Sequence, residues 1–231
     1  SGFYAERSSI VGGMNNQIIG DSSSNTRDSI LLGGNKNSIT NSKVSSILVG
    51  EYNKIIDSPG SIILSGCGAE SVYSGTSSGN QIAGGQMNII GGGYFSGDAP
   101  YNYNFSNKIT NSKSTIVLGA ANNVANIAKN STILGGGGNT INQDISSSII
   151  GGGNNSILLF SVNSTILGGL GNQLNNYSQF STILGGTDHQ MTTGKQSVIV
   201  CGQAHTITDS EKSTILGGQS NSISNSLYSS I

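Results

Sequence analysis

Few side chains in this sequence could do chemistry beyond hydrogen bonding. His189 and His205 are its two histidines, 16 residues apart. If that spacing is one structural repeat, the imidazoles stack about 5 Å apart. Such a pair could ligate a transition metal, helped by the neighbouring Asp188. It could equally be a plain replacement of the amide that holds the same place elsewhere. The carboxylates come in loose pairs, Asp209 with Glu211 and Asp21 with Asp28. Glycosidase chemistry needs two carboxylates flanking a bond, but these lie in variable turns and read as solvated. Serines abound, and none of them is identifiable as a nucleophile. The glycine runs lack the Lys-Ser/Thr of a phosphate-binding loop.

One stretch concentrates rings. Tyr94, Phe95, Asp98, Tyr101, Tyr103 and Phe105 fall within a dozen residues. Ring faces with Asp98, Asn102 and Asn104 beside them could stack on a sugar and hydrogen-bond its hydroxyls. Alternatively, the rings cover an open flank or pack on a neighbouring chain. Asn-x-Ser/Thr sequons at Asn104, Asn130, Asn154, Asn163 and Asn176 matter only if the chain traverses a eukaryotic secretory route.

Composition narrows the classes. Gly is 35 of 231 residues and charged residues are 9 %, against roughly 25 % charged in ordinary domains. The net charge is −1 with no basic cluster, so no nucleic-acid footprint is present. No apolar run approaches the roughly 18 residues of a membrane span. Cys67 and Cys201 are too far apart in sequence to suggest a disulfide framework. No cofactor motif is found. The chain begins without Met and stops inside a repeat unit, which reads as a segment of something longer.

The element that must position these residues is a short repeat, S-[S/T]-I-L-G-G-x-x-N-x-I, followed by five to eight polar residues. Clear copies start at Ser131, Ser147 and Ser213. With the first apolar residue as position 1, units begin at Ile10, Leu31, Ile47, Ile63, Ile82, Ile116, Ile133, Ile149, Ile166, Ile183, Ile199 and Ile215. Ile231 opens another, and a degenerate unit is expected near Tyr101, giving about thirteen. A period of 16 or 17 is too short for helix-pair repeats. It fits one all-β circuit per unit, stacked as a parallel β-solenoid of a single domain over 1–231, with an insertion at about 91–108.

Each position then has a physical role. Stacked Ile at positions 1 and 9 makes two dry columns from opposite walls. Gly at position 4 marks a turn needing positive φ. Asn at position 7 builds an amide ladder, and Ser two residues before position 1 a second polar column. Position 2 must point opposite to position 1. It is nevertheless Val11, Leu32, Leu48, Leu64, Val117, Leu134, Ile150, Leu167, Leu184, Val200 and Leu216. An outward apolar stripe of that length marks an interface, here with copies of the same chain, most simply around a three-fold axis. A wider coil or another chain segment covering the stripe is the alternative.

The repeat resembles that of the YadA-like left-handed parallel β-roll, found in head domains of trimeric autotransporter adhesins and in some phage and viral fibres. Where that family carries small residues at position 2 this chain has Leu, and where it has a bulkier residue at position 3 this chain has Gly. The resemblance implies a homotrimer of rolls on a cell or virion surface, contact with a host glycan or surface protein, and no catalysis. The readings carried forward are an attachment fibre, a purely structural extracellular spacer, and a polysaccharide-degrading tail spike.

Overall fold

The computed structural model describes residues 5–20, 26–66, 79–92, 107–120 and 123–231. Among them every regular element is a short strand, and no helix is long and apolar enough to cross a membrane. The strands alternate between two parallel sheets of twelve. The first sheet runs from Ser9–Ile10 to Thr214–Ile215 and the second from Gln17–Ile19 to Ser222–Ser224. A two-stranded pair, Ala5–Glu6 with Thr26–Arg27, stands apart. This is the expected parallel β-solenoid, and the described residues supply twelve strands to each of its two sheets. Contacts cluster into two units, residues 1–123 and 124–231, taken in turn.

In residues 1–123 the inward column of the first sheet is Leu31, Ile47, Ile63, Ile90 and Val117. That of the second is Ile39, Ile55, Ile82 and Ile109. All nine side chains are fully buried. Ile82 therefore occupies position 9 and does not open a unit, while Ile90, expected at position 9, occupies position 1. The reason is two insertions. Asn80 hydrogen-bonds Asn53, and Asn107 hydrogen-bonds Asn80, each across 27 residues where the neighbouring step, Asn37 to Asn53, spans 16. Since Asn80 and Asn107 are directly paired, no further circuit fits between them. Both insertions leave from the same corner, after Gly66 and after Gly92, in consecutive circuits.

Residues 124–231 are more regular. Ile133, Ile149, Ile166, Ile183, Ile199 and Ile215 form one buried column, and Ala125, Ile141, Ile157, Leu174, Met191, Ile207 and Ile223 face it. Each circuit is two similar halves. A buried polar residue precedes each core residue by two places, as Asn155 precedes Ile157 and Ser164 precedes Ile166. In the second half a small or polar residue follows three later, as Ser210 follows Ile207, or four later in the longer circuits, as Ser161 follows Ile157.

The corners are stitched by side chains. Where no strand ladder can take a backbone N–H, a side chain from the preceding circuit does. The N–H of Ser164 donates to Ser147 Oγ (3.3 Å), that of Ser181 to Ser164 Oγ (3.1 Å), and that of Ser213 to Ser197 Oγ (3.0 Å). The Asn column does the same: the N–H of Asn172 donates to Asn155 Oδ1 at 3.0 Å, while Asn155 Nδ2 donates to the Gly169 carbonyl at 3.1 Å. Both expected polar columns are present. The column through Ser42, Ser58, Ser161, Ser178 and Ser210 lies in the stretch read from sequence as variable and polar.

Sharp corners also force left-handed backbone. Asn154, Asp188 and Asn163 accept it easily, but Val44 (φ 53°) and Ile127 (φ 50°) do not. A β-branched residue there costs about 1–2 kcal/mol. Stacking of whole circuits overrides that local preference.

Candidate interaction surfaces

The outward column lies where the alternation of the first sheet places it. Val11, Leu32, Leu64, Leu134, Ile150, Leu167, Leu184 and Leu216 are each 37–62 % exposed, and Leu48 and Val200 are half-buried. Val117 is the exception. It is fully buried in the inward column, in register with Ile90, and Leu118 is the outward residue of that circuit. The run Ile116-Val117-Leu118 is apolar throughout, so alternation alone cannot choose its register; pairing with Ile89-Ile90-Gly91 does. The same step moves the position-7 role from Asn122 to Asn123, whose N–H donates to Asn107 Oδ1 at 3.1 Å. Gly91 leaves a gap in the stripe that the Leu118 and Leu64 side chains lean over.

The ring-rich stretch Tyr94, Phe95, Asp98, Tyr101, Tyr103 and Phe105 lies outside the described residues, as do Asp21 and Cys67. Cys201 is a free, exposed thiol that donates to the Leu216 carbonyl. Asp28 pairs with Arg7 at 3.0 Å, and Glu211 lies 3.6 Å from Lys212. Asp209 and Glu211 occupy the outer turn expected of them.

His189 and His205 stack one circuit apart, with ring centroids 4.9 Å apart and planes 1° from parallel. Each Nδ1 takes the place of an Asn Oδ1: His189 Nδ1 accepts the N–H of His205, and His205 Nδ1 accepts that of Asn221, both at 3.1 Å. Both imidazoles are fully buried, and with Nδ1 accepting an N–H the ring N–H lies at Nε2. Neither Nε2 has a hydrogen-bond partner; that of His189 lies near the Gly202 carbonyl without reaching bonding geometry. With both Nδ1 atoms committed and the rings parallel, the pair has the geometry of ladder substitution rather than of converging ligands.

Burial holds the His189 pKa below its ordinary value, the stacked His205 adds to that, and Asp188 opposes it. The strands around the pair present Met191 and Ile207, and the adjoining circuits Asn172 and Asn221, none of which titrates near neutrality. A depressed His pKa means the folded chain refuses a proton that the unfolded chain takes. Stability is therefore full above pH 6.5 and falls as pH drops below it. Replacing both histidines by Asn is expected to flatten this acid limb. Urea midpoints between pH 7.5 and pH 5, measured in an Asp144→Ser background, check it; an acid limb that persists in the double Asn variant refutes it.

Two features were not read from the sequence. Asp144, 1 % exposed, sits in a buried column that Ala128, Ser161, Ser178, Gly194 and Ser210 otherwise line. Its Oδ1 accepts the N–H of Ile145 at 2.8 Å, and its Oδ2 has no partner. Phe160 and Tyr177 form a stacked, exposed pair on an outer corner. Their signal was visible: the period lengthens from 16 to 17 in two consecutive units, and the extra residue is aromatic each time. A scan of family models and searches of curated proteins and solved structures find no match to the chain.

Proposed function

We propose that this chain is a segment of an attachment fibre on a cell or virion surface, which assembles with copies of itself through its outward apolar column. The observation that carries this reading is the column. Eight large apolar side chains at one repeat position stay more than a third exposed, although nothing in the core requires them. Exposed apolar surface of that extent is retained where a partner covers it. A repeating scaffold suits a copy of itself best, because identical spacing gives matching ridges along the contact. A closed three-fold arrangement buries the column of every chain without leaving an open end to propagate sideways. The similarity of the repeat to the YadA-like β-roll points the same way. The role proposed is structural and adhesive, with no catalytic step.

Sedimentation equilibrium tests the assembly. The wild-type chain is expected to be a trimer. Leu134→Ser, Leu167→Ser and Leu184→Ser combined are expected to yield monomers whose circular dichroism is unchanged, because these side chains lie outside the core. A monodisperse wild-type monomer would sink the assembly reading.

A further inference from the structure

The circuits starting at Ile149 and Ile166 each carry one residue more than their neighbours in residues 124–231. The extra residues are Phe160 and Tyr177. The fold has no need of a ring at either place. Ser161 and Ser178 continue the buried column past them, linked by Ser178 N–H to Ser161 Oγ at 3.3 Å. Backbone pairing also continues, from Phe160 N–H to the Gln143 carbonyl and from Tyr177 N–H to the Leu159 carbonyl, both at 3.0 Å. The rings are pushed outward, 46 % and 52 % exposed, and stack with centroids 5.6 Å apart. Phe180, 58 % exposed, stands on the neighbouring corner.

Stacking on Tyr177 occupies one face of Phe160. The other face looks toward the preceding circuit, which lacks the extra residue. The step between them is a groove of about 230 Å³ lined by Ile127, Lys129, Gln143, Asp144, Ile145 and Phe160. The Asp144 carboxylate is buried beneath it, so the groove offers a ring face, two Ile side chains, one amide and one ammonium.

We infer that this groove binds a pyranose residue of a glycan, its C–H face against Phe160 and its hydroxyls toward Gln143 and Lys129. Size favours this occupant, since the groove is smaller than the 300–1,000 Å³ typical of larger ligands. A docked helix would need a longer apolar track with i, i+3, i+4 pockets. Chemistry favours it too. A flat aromatic wall beside neutral and cationic donors suits a ligand that is apolar on one face and hydroxyl-rich at its edge. The inference deepens the attachment reading and rests on it, by naming what this part of the surface would hold.

The purified chain, its Phe160→Ala and Phe160→Leu variants and a Tyr228→Ala control would be applied to an array of neutral and acidic oligosaccharides. The best-retained glycan would then be titrated by calorimetry. Wild type is expected to bind. Affinity is expected to fall about tenfold or more in both Phe160 variants and to be unchanged in Tyr228→Ala, with melting intact throughout. Loss in Phe160→Leu separates ring stacking from general apolarity. Lys129→Gln is expected to weaken acidic glycans more than neutral ones. Undiminished glycan binding by Phe160→Ala overturns the inference, as does retention on protein-coated spots alone. If wild type and Phe160→Ala bind host cells equally, attachment stands and this groove is excluded. If wild type binds neither glycan nor cell, both readings fall.

Discussion

Gly152→Ala is expected to abolish cooperative folding of residues 124–231 or lower its stability by about 4 kcal/mol, whereas Gly151→Ala should cost only about 1 kcal/mol. The two glycines are adjacent and share left-handed backbone, φ 72° and 78°. For both, a Cβ adds the conformational penalty of about 1–2 kcal/mol. They differ in what that atom would meet. At Gly151 it projects into open space. At Gly152 it would overlap the Gly169 carbonyl of the next circuit and the Asn155 amide nitrogen. Those are the two partners of the Asn155 Nδ2 to Gly169 bond, so the substitution also orphans a buried donor and acceptor, at about 1–3 kcal/mol each. Every circuit stacks on the next, so the loss spreads to neighbours. Urea unfolding followed by circular dichroism checks the contrast. Equal effects at the two sites would show that backbone conformation alone, and not close approach of circuits, selects Gly at position 4.

Asp144→Ser is expected to stabilise the chain at pH 7.5 by on the order of 2–3 kcal/mol and to have little effect at pH 4. Asp144 stands between Ala128 and Ser161 in its column. Burial pushes its pKa up to about 6, against the Ile145 N–H bond and the nearby Ser147 hydroxyl and Ser161 backbone, which pull it down. A raised carboxylate pKa means the folded chain binds a proton more tightly than the unfolded chain. Above about pH 6 the carboxylate is charged in both states, and its burial cost is fully expressed. Between pH 6 and pH 3.8 the folded state takes up the proton first, and the cost fades. Ser removes the buried charge and restores the Oγ acceptor of the column. Denaturation midpoints at both pH values test this: a stabilisation equal at pH 4 and pH 7.5 would rule out the charge as its source. The sign is opposite to that of the His189 limb, so the wild-type profile is the difference between two opposed effects.

Some features were legible because they repeat. The columns at positions 1, 7 and 9, the turn glycine and the Ser column follow from residue type and a fixed spacing. Each has one physical solution: apolar β-branched residues stack dry, and amides and hydroxyls satisfy corner N–H groups. The histidines were legible as occupants of position 7, but only the Nδ1 contacts decide that they act as Asn surrogates. Where the repeat is interrupted, the reading slipped. Ile82 and Ile90 sit eight residues apart, and each half-circuit has a similar pattern, so either could open a unit. Ile116 and Val117 are equally apolar neighbours, and no local preference separates them.

The amino-acid order by itself determines that this chain coils, with what period, and which residue types line its inner columns, because every circuit presents the same local problem and solves it the same way. Tertiary structure decides the register across the two insertions, the burial of Val117 and the isolation of the Asp144 carboxylate. It also decides that Phe160 and Tyr177 are stacked outside the wall. Those depend on which circuit lies above which, and pairing between residues far apart in sequence is set by hydrogen bonds across the stack rather than by any local pattern.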